Sequence, residues 1–221
     1  MADESQGNLL PSRSIVERHF YLMVLACEKC GKGPFELVST ERTPEQNVDI
    51  WFTRCKKCRQ GRRLQFNRSE LMIDEAATAS HPLPEVNPTD QPSRLIDLGQ
   101  WLALFYSILS AAAEQSDRKE AQRLGYEATL CIEEALKFYH PDSDLPPADA
   151  LWVESSKQRL QERPETFVRQ KLIHMREKLP SLQVMRQSIT DPKTKKAITD
   201  LAPDAPAPKP SWFRRWFGKK S

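Results

Sequence analysis

The chain has 221 residues, 33 Lys and Arg against 30 Asp and Glu, 39% hydrophobic and 8% aromatic residues, and 17 prolines. That length suits one large domain or two small ones, and the apolar content allows only a modest core. A net charge of +3 excludes a globally basic protein, so any surface for a polyanion has to be local. Five cysteines are an odd number, and four of them form Cys-x-x-Cys pairs. This fits metal better than a disulfide frame and argues for a reducing, cytoplasmic setting. The acidic, polar start Met1-Ala2-Asp3-Glu4-Ser5-Gln6 lacks the positive-then-apolar pattern of a secretory signal.

In chain order, residues 1–14 read as a flexible leader and 15–78 as a small domain. His19 to Leu25 reads as a buried strand running into Cys27-Glu28-Lys29-Cys30. Gly31 and Gly33 follow, where a turn needs positive φ. Phe35, Leu37 and Ser39 alternate with Glu36, Val38 and Thr40, the period of a strand. Residues 41–47 read as a polar turn, and Asp49 to Arg54 as a second strand into Cys55-Lys56-Lys57-Cys58. A third strand follows Gly61, over Arg62 to Phe66.

Four thiolates suit a tetrahedral Zn²⁺, and a two-residue spacer lets one tight turn aim both sulfurs of a pair at one ion. The set Cys27, Cys30, Cys55 and Cys58 leaves no position open for a substrate or an activated water, so such a site is structural. Knuckle, strand, turn, strand, knuckle, strand is the order of the zinc-ribbon family, which this chain resembles over roughly residues 20–68. The resemblance implies one structural zinc per chain. The ion would stand in for the core that so short a domain lacks.

Arg54, Lys56, Lys57, Arg59, Arg62 and Arg63, with Arg68, fall in fifteen residues that contain no acid. Near Trp51, Phe52 and Phe66 they are candidates for contacting phosphates and bases. The alternative is that they offset thiolate charge and otherwise form a solvated face, with the aromatics in the core.

Residues 79–93, with Pro82, Pro84, Pro88 and Pro92, read as an extended linker. Beyond it the period becomes helical, and 94–189 read as a helical bundle. Ser93 is the expected N-cap of a first helix whose stripe is Leu95, Leu98, Leu102, Phe105 and Leu109. Asp117 and Glu120 open a second helix, with Leu124, Ala128, Cys131, Ala135 and Phe138 inward. Cys131 is then a small buried hydrophobe, and Glu133, Glu134 and Glu154 are solvated. Pro146-Pro147 opens a third helix over about 148–161. Pro164 opens a fourth with Val168, Leu172, Met175 and Leu179 on one face, and a short helix over 181–188 follows.

Residues 190–221 lose the pattern and read as a disordered arm. On a helix, Trp212, Phe213, Trp216 and Phe217 share one side, with Arg214 and Arg215 opposite. That suits an anionic membrane surface, a groove on a protein partner, or a fold-back onto the bundle. No Gly-rich phosphate loop, HExxH, GxSxG or carboxylate pair is present. The expectation is therefore an α+β chain, a three-stranded antiparallel zinc ribbon followed by an all-α bundle and a disordered arm. It acts without catalysis as an intracellular protein-interaction adaptor, with the tip as a peripheral membrane or protein contact. Nucleic-acid binding by the second knuckle is the alternative, and no small-molecule substrate is evident.

Overall fold

The computed structural model describes residues 9–74, 76, 78, 85–179 and 181–182. The six tip residues Trp212 to Phe217, the arm from 190, and all but the first two residues of the helix expected over 181–188 lie outside the described residues. The chain is α+β and divides into two compact units. Residues up to Pro88 with Ser93–Leu95 form the first, which carries the sheet. Thr89–Pro92 and the residues from Ile96 form the second, which is helical. Among the described residues, no helix is long and apolar enough to cross a membrane.

The first unit opens with a helix, α1 (Ile15–Val24), where the sequence suggested a strand over His19–Leu25. The reason lies upstream of that apolar run. Ser14 is the N-cap and its hydroxyl accepts from the Glu17 N–H at 3.0 Å, the side-chain capping that starts a helix. Ile15, Val16, His19, Phe20 and Leu22 are buried, so the stripe follows the helical period. Glu17 is buried too, accepting from the Arg13 N–H and the Ser93 hydroxyl, each at 2.6 Å.

Three antiparallel strands follow in the order β1 (Phe35–Thr43), β2 (Val48–Cys55) and β3 (Gly61–Asn67). β1 runs through much of the stretch expected as a turn, which shrinks to a 3₁₀ turn at Pro44–Gln46 and Asn47 at φ 52°. The register pairs Trp51 with Leu64 and Thr40, Asp49 with Phe66 and Arg42, and Cys55 with Phe35. Side chains alternate across a strand, so Asp49, Trp51, Thr53 and Cys55 share one face. α1 packs on that face: the His19 and Trp51 ring centroids lie 4.9 Å apart, and the Trp51 and Phe66 rings meet edge-on at 5.2 Å. The outer strand β1 has a register shift between Leu37 and Ser39, with Glu41 and Arg42 exposed beyond it. An irregularity and charges on an edge strand oppose pairing with another edge.

Residues 9–14 are not a loose leader. Leu10 bridges to β3 by bonds of 2.8 and 3.0 Å, and Ser12 and Ser14 are buried. The Pro-rich stretch is also partly packed: Val86, Asn87 and Ser93 are buried, and the Ser14 hydroxyl donates to the Val86 carbonyl at 2.5 Å.

The second unit holds α2 (Leu98–Ala113), α3 (Arg118–Leu136), α4 (Glu154–Glu162) and α5 (Arg169–Glu177). Asp97, not Ser93, caps α2, in a capping box with Gln100. Its carboxylate also accepts from the N–H groups of Trp152 (3.2 Å) and Val153 (2.9 Å) and from the Ser156 hydroxyl (2.7 Å), so one buried side chain closes the start of two helices. Gly99 is required here, because a Cβ would lie 2.5 Å from that of Ser156. The inward stripe of α2 turns at its end, burying Ile108 rather than Leu109. On α3 the expected residues Leu124, Ala128, Cys131, Ala135 and Phe138 are all buried. Glu133 and Glu134 are not simply solvated: they pair with Arg176 at 2.5 Å and Lys137 at 2.7 Å. The prolines expected to open helices serve 3₁₀ turns instead, Pro146-Pro147 preceding Ala148–Ala150 and Pro164 starting Pro164–Phe167, before α4 and α5 begin. Phe167 and Leu172 are fully buried, while Val168, Met175 and Leu179 are half-buried.

Candidate metal centre

The four expected ligands converge. The sulfurs of Cys27, Cys30, Cys55 and Cys58 all lie within 4.8 Å of one another, with Cys27 and Cys58 at 3.5 Å and Cys30 and Cys55 at 3.8 Å. A tetrahedral ion with bonds of about 2.3 Å sets its sulfurs roughly 3.8 Å apart, so the cluster fits a metal ion beside a three-stranded antiparallel sheet.

The two knuckles are built alike. In the first, the Cys27 N–H donates to the Lys32 carbonyl (2.6 Å) and the Gly31 N–H to the Cys27 carbonyl (2.7 Å). In the second, Cys55 donates to Gln60 (2.9 Å) and Arg59 to Cys55 (2.9 Å), at the same sequence offsets. Gly31 and Arg59 occupy equivalent places with φ of 65° and 64°. The left-handed residue of the second knuckle is thus Arg59, not Gly61. Gly33 serves a different need, since a Cβ there would sit 2.7 Å from the Leu25 carbonyl oxygen. The β2 strand delivers Cys55 directly, and α1 ends at Val24, three residues before Cys27.

The electrostatics divide two of the sulfurs. Burial raises the Cys27 pKa, but the N–H groups of Cys30 and Lys29 and the thiols of Cys58 and Cys30 outweigh it and bring it down to about 7. The Gln60 N–H lowers that of Cys58, while burial and the neighbouring sulfurs of Cys27, Cys30 and Cys55 push it up to about 11. One acidic and one basic sulfur in a four-thiol cluster are what a shared proton produces, and a cation relieves that competition. Cys131 is set apart from this chemistry. It is fully buried in the helical unit, and burial together with Glu127 and Glu134 holds its thiol well above its usual range.

The basic residues around the second knuckle divide into two groups. Arg54 (3.5 Å) and Arg59 (2.9 Å) pair with Glu36, and Arg62 pairs with Glu28 of the first knuckle (3.1 Å). Arg68 pairs with Asp49 at 2.9 Å. Lys56, Lys57 and Arg63 are exposed and have no ion pair among the described residues. Trp51 and Phe66 are core side chains at 1% and 0% exposure, and Phe52 alone of the three aromatics is half-exposed, opposite Arg63. The run therefore has no acid in sequence but is partly neutralised in space.

A second polar cluster went unrecognised in the sequence. Arg18 is fully buried. It donates to Asp49 Oδ2 (2.7 Å) and Ser12 Oγ (2.8 Å), and its guanidinium lies 4.5 Å from the centre of the Phe66 ring. Arg68 holds both oxygens of Asp49, at 3.0 and 2.9 Å. Burial raises the Asp49 pKa, but Arg18 and Arg68 outweigh it and hold the carboxyl below its ordinary value. His19 beside it is kept neutral by burial and by Arg18, with a pKa of about 3. The usable signal was Asp49 itself: an acid in the inward phase of Trp51, Thr53 and Cys55 calls for buried hydrogen-bond donors, here two guanidinium groups.

No protein-family model, no curated protein and no solved structure matches this chain.

Proposed function

We propose that the chain is a zinc-ribbon protein with one structural Zn²⁺ per molecule, acting without catalysis as an intracellular adaptor between macromolecules. The observation that carries this is the closed set of four sulfurs, 3.5 and 3.8 Å apart across the knuckles. Four thiolates favour zinc over harder ions, and a site filled by four protein ligands organises structure. Cys27, Cys30, Cys55 and Cys58 would hold the ion, which supplies the cross-link between the two knuckles. The sheet and helical unit then present surfaces to a protein partner. The aromatic-basic tip, Trp212 to Phe217, adds a second, weak attachment to that partner or to an anionic membrane, and effective concentration makes two weak contacts useful.

Nucleic acid is the second reading. It is favoured by the three exposed cations Lys56, Lys57 and Arg63, the last of them opposite half-exposed Phe52. The burial of Trp51 and Phe66 removes two of its three stacking aromatics, which places it behind the adaptor reading.

The test is metal content of the purified full chain by native mass spectrometry, followed by fluorescence anisotropy with labelled single- and double-stranded oligonucleotides at low and physiological salt. One zinc per chain and no oligonucleotide binding at low salt support the adaptor. Micromolar binding that falls steeply with salt, and that is weakened by Lys56→Glu with Arg63→Glu, would put nucleic acid first.

A further inference from the structure

A ribbon that owes its fold to a metal unravels when the metal leaves. The ribbon unit here is built differently, because β2 is fastened at both ends by unrelated chemistry. Cys55 at its C-terminal end belongs to the sulfur cluster. Asp49, near its N-terminal end, belongs to the buried Arg18 and Arg68 cluster. Six residues at about 3.3 Å each put the two fastenings roughly 20 Å apart.

Between them lies an apolar core that the sulfurs do not create. Ile15, Val16, Phe20 and Leu22 of α1 and Trp51, Leu64 and Phe66 of the sheet are all at 4% exposure or less. Removing each such apolar side chain from water stabilises this part of the fold without any help from the sulfurs. Backbone bonds from Leu10 to β3 and from Met72 and Ile73 to Arg13 tie further chain to the same end. The knuckle end differs. Apart from buried Cys27, Cys55, Leu25 and Phe35, its residues 28–34 and 56–61 are exposed or half-exposed. Their turns rest on the four backbone bonds flanking the cysteines, a fifth from the Lys56 N–H to the Pro34 carbonyl (2.9 Å) and the Arg62–Glu28 pair (3.1 Å).

We propose that metal occupancy in this unit is a local conformational switch. Loss of the ion melts the two knuckles and releases the surface that carries Lys56 and Lys57, while α1 and the far two-thirds of the sheet stay folded around Trp51 and the Asp49 cluster. The metal thereby controls presentation of the knuckle surface without unfolding the protein. This rests on the metal-centre reading above.

The experiment is hydrogen–deuterium exchange of the full chain, first as purified and then after chelation under reducing conditions, with metal content measured on each sample. Chelation is expected to speed exchange at least about 100-fold at the Gly31, Cys55 and Arg59 amides, and to leave α1 and the Trp51–Leu64 pairing within about threefold. Concerted loss of protection over 15–24 and 48–67 in a sample shown to have lost its metal would overturn the switch while leaving the metal centre standing. A chain that takes up no zinc, yet protects its knuckles, would overturn both. Cys58→Ser gives an independent reading: it should reproduce the chelated pattern with the α1 segment still protected.

Discussion

Two buried aspartates, one inside each unit, are satisfied by opposite means. Asp49 in the sheet unit is surrounded by guanidinium groups. Asp97 in the helical unit accepts only from neutral donors, three backbone N–H groups and one hydroxyl among the contacts described. The first solution commits a full positive charge, Arg18, to a place with no solvent. The second uses dipoles that helix starts leave unpaired in any case. A buried ion pair is weak evidence of net stability but is costly to break, whereas a cap is worth a steady, smaller amount.

The sharpest way to break the comparison is Asp49→Ala. It leaves Arg18 uncompensated, and we expect a loss of about 3–5 kcal/mol in the sheet unit with little change in the helical unit. Urea melts read separately from amides of each unit would show this, and equal losses in both would contradict it. Acid tests the same contrast. The Asp49 pKa is depressed in the fold, so its contribution is present above the unfolded carboxyl value and is lost as pH falls through the folded one. The sheet unit should therefore lose stability on acidification down through that range.

Asp97→Ala removes a cap and strands buried donors, which should cost roughly 2–4 kcal/mol in the helical unit. Asp97→Asn keeps an N-cap oxygen and should cost about half as much. Gly99→Ala pushes a methyl against Ser156 and should cost about 1–3 kcal/mol by thermal or urea melting. The smallest effect has the opposite sign. Arg59 adopts the left-handed conformation that Gly31 fills in the first knuckle, so Arg59→Gly should stabilise the second knuckle by about 0.5–1 kcal/mol. The exposed pair with Glu36 that it loses is worth little.

The four clustered cysteines were legible in the sequence because their signal is local: two residues between the cysteines of a pair set the turn, and β2 runs directly into the second pair. The three strands and the buried stripe of α3 were legible for the same reason, as period-2 and period-3.6 patterns need no knowledge of the partner. The misread segment, His19–Leu25, is an apolar run too short to show its period unless Ile15, Val16 and the Ser14 cap are read with it. The boundary at Ser93 failed because that hydroxyl serves Glu17, 76 residues away.

The sequence by itself determined the cysteine pairs, the three strands and the succession of helices in the second unit, since spacing along a chain fixes which side chains share a turn or a face. Only the tertiary structure decided which charges are spent. Glu28, Glu36 and Asp49 pair with four of the seven cations of a run that looked uniformly basic, and Arg18 is drawn under Trp51 and Phe66. Coulomb pairing and desolvation depend on distance in space, and these partners lie 23 to 34 residues apart in the chain for Arg59–Glu36 and Arg62–Glu28. No window along the sequence contains both members of such a pair together with the burial that gives it its strength.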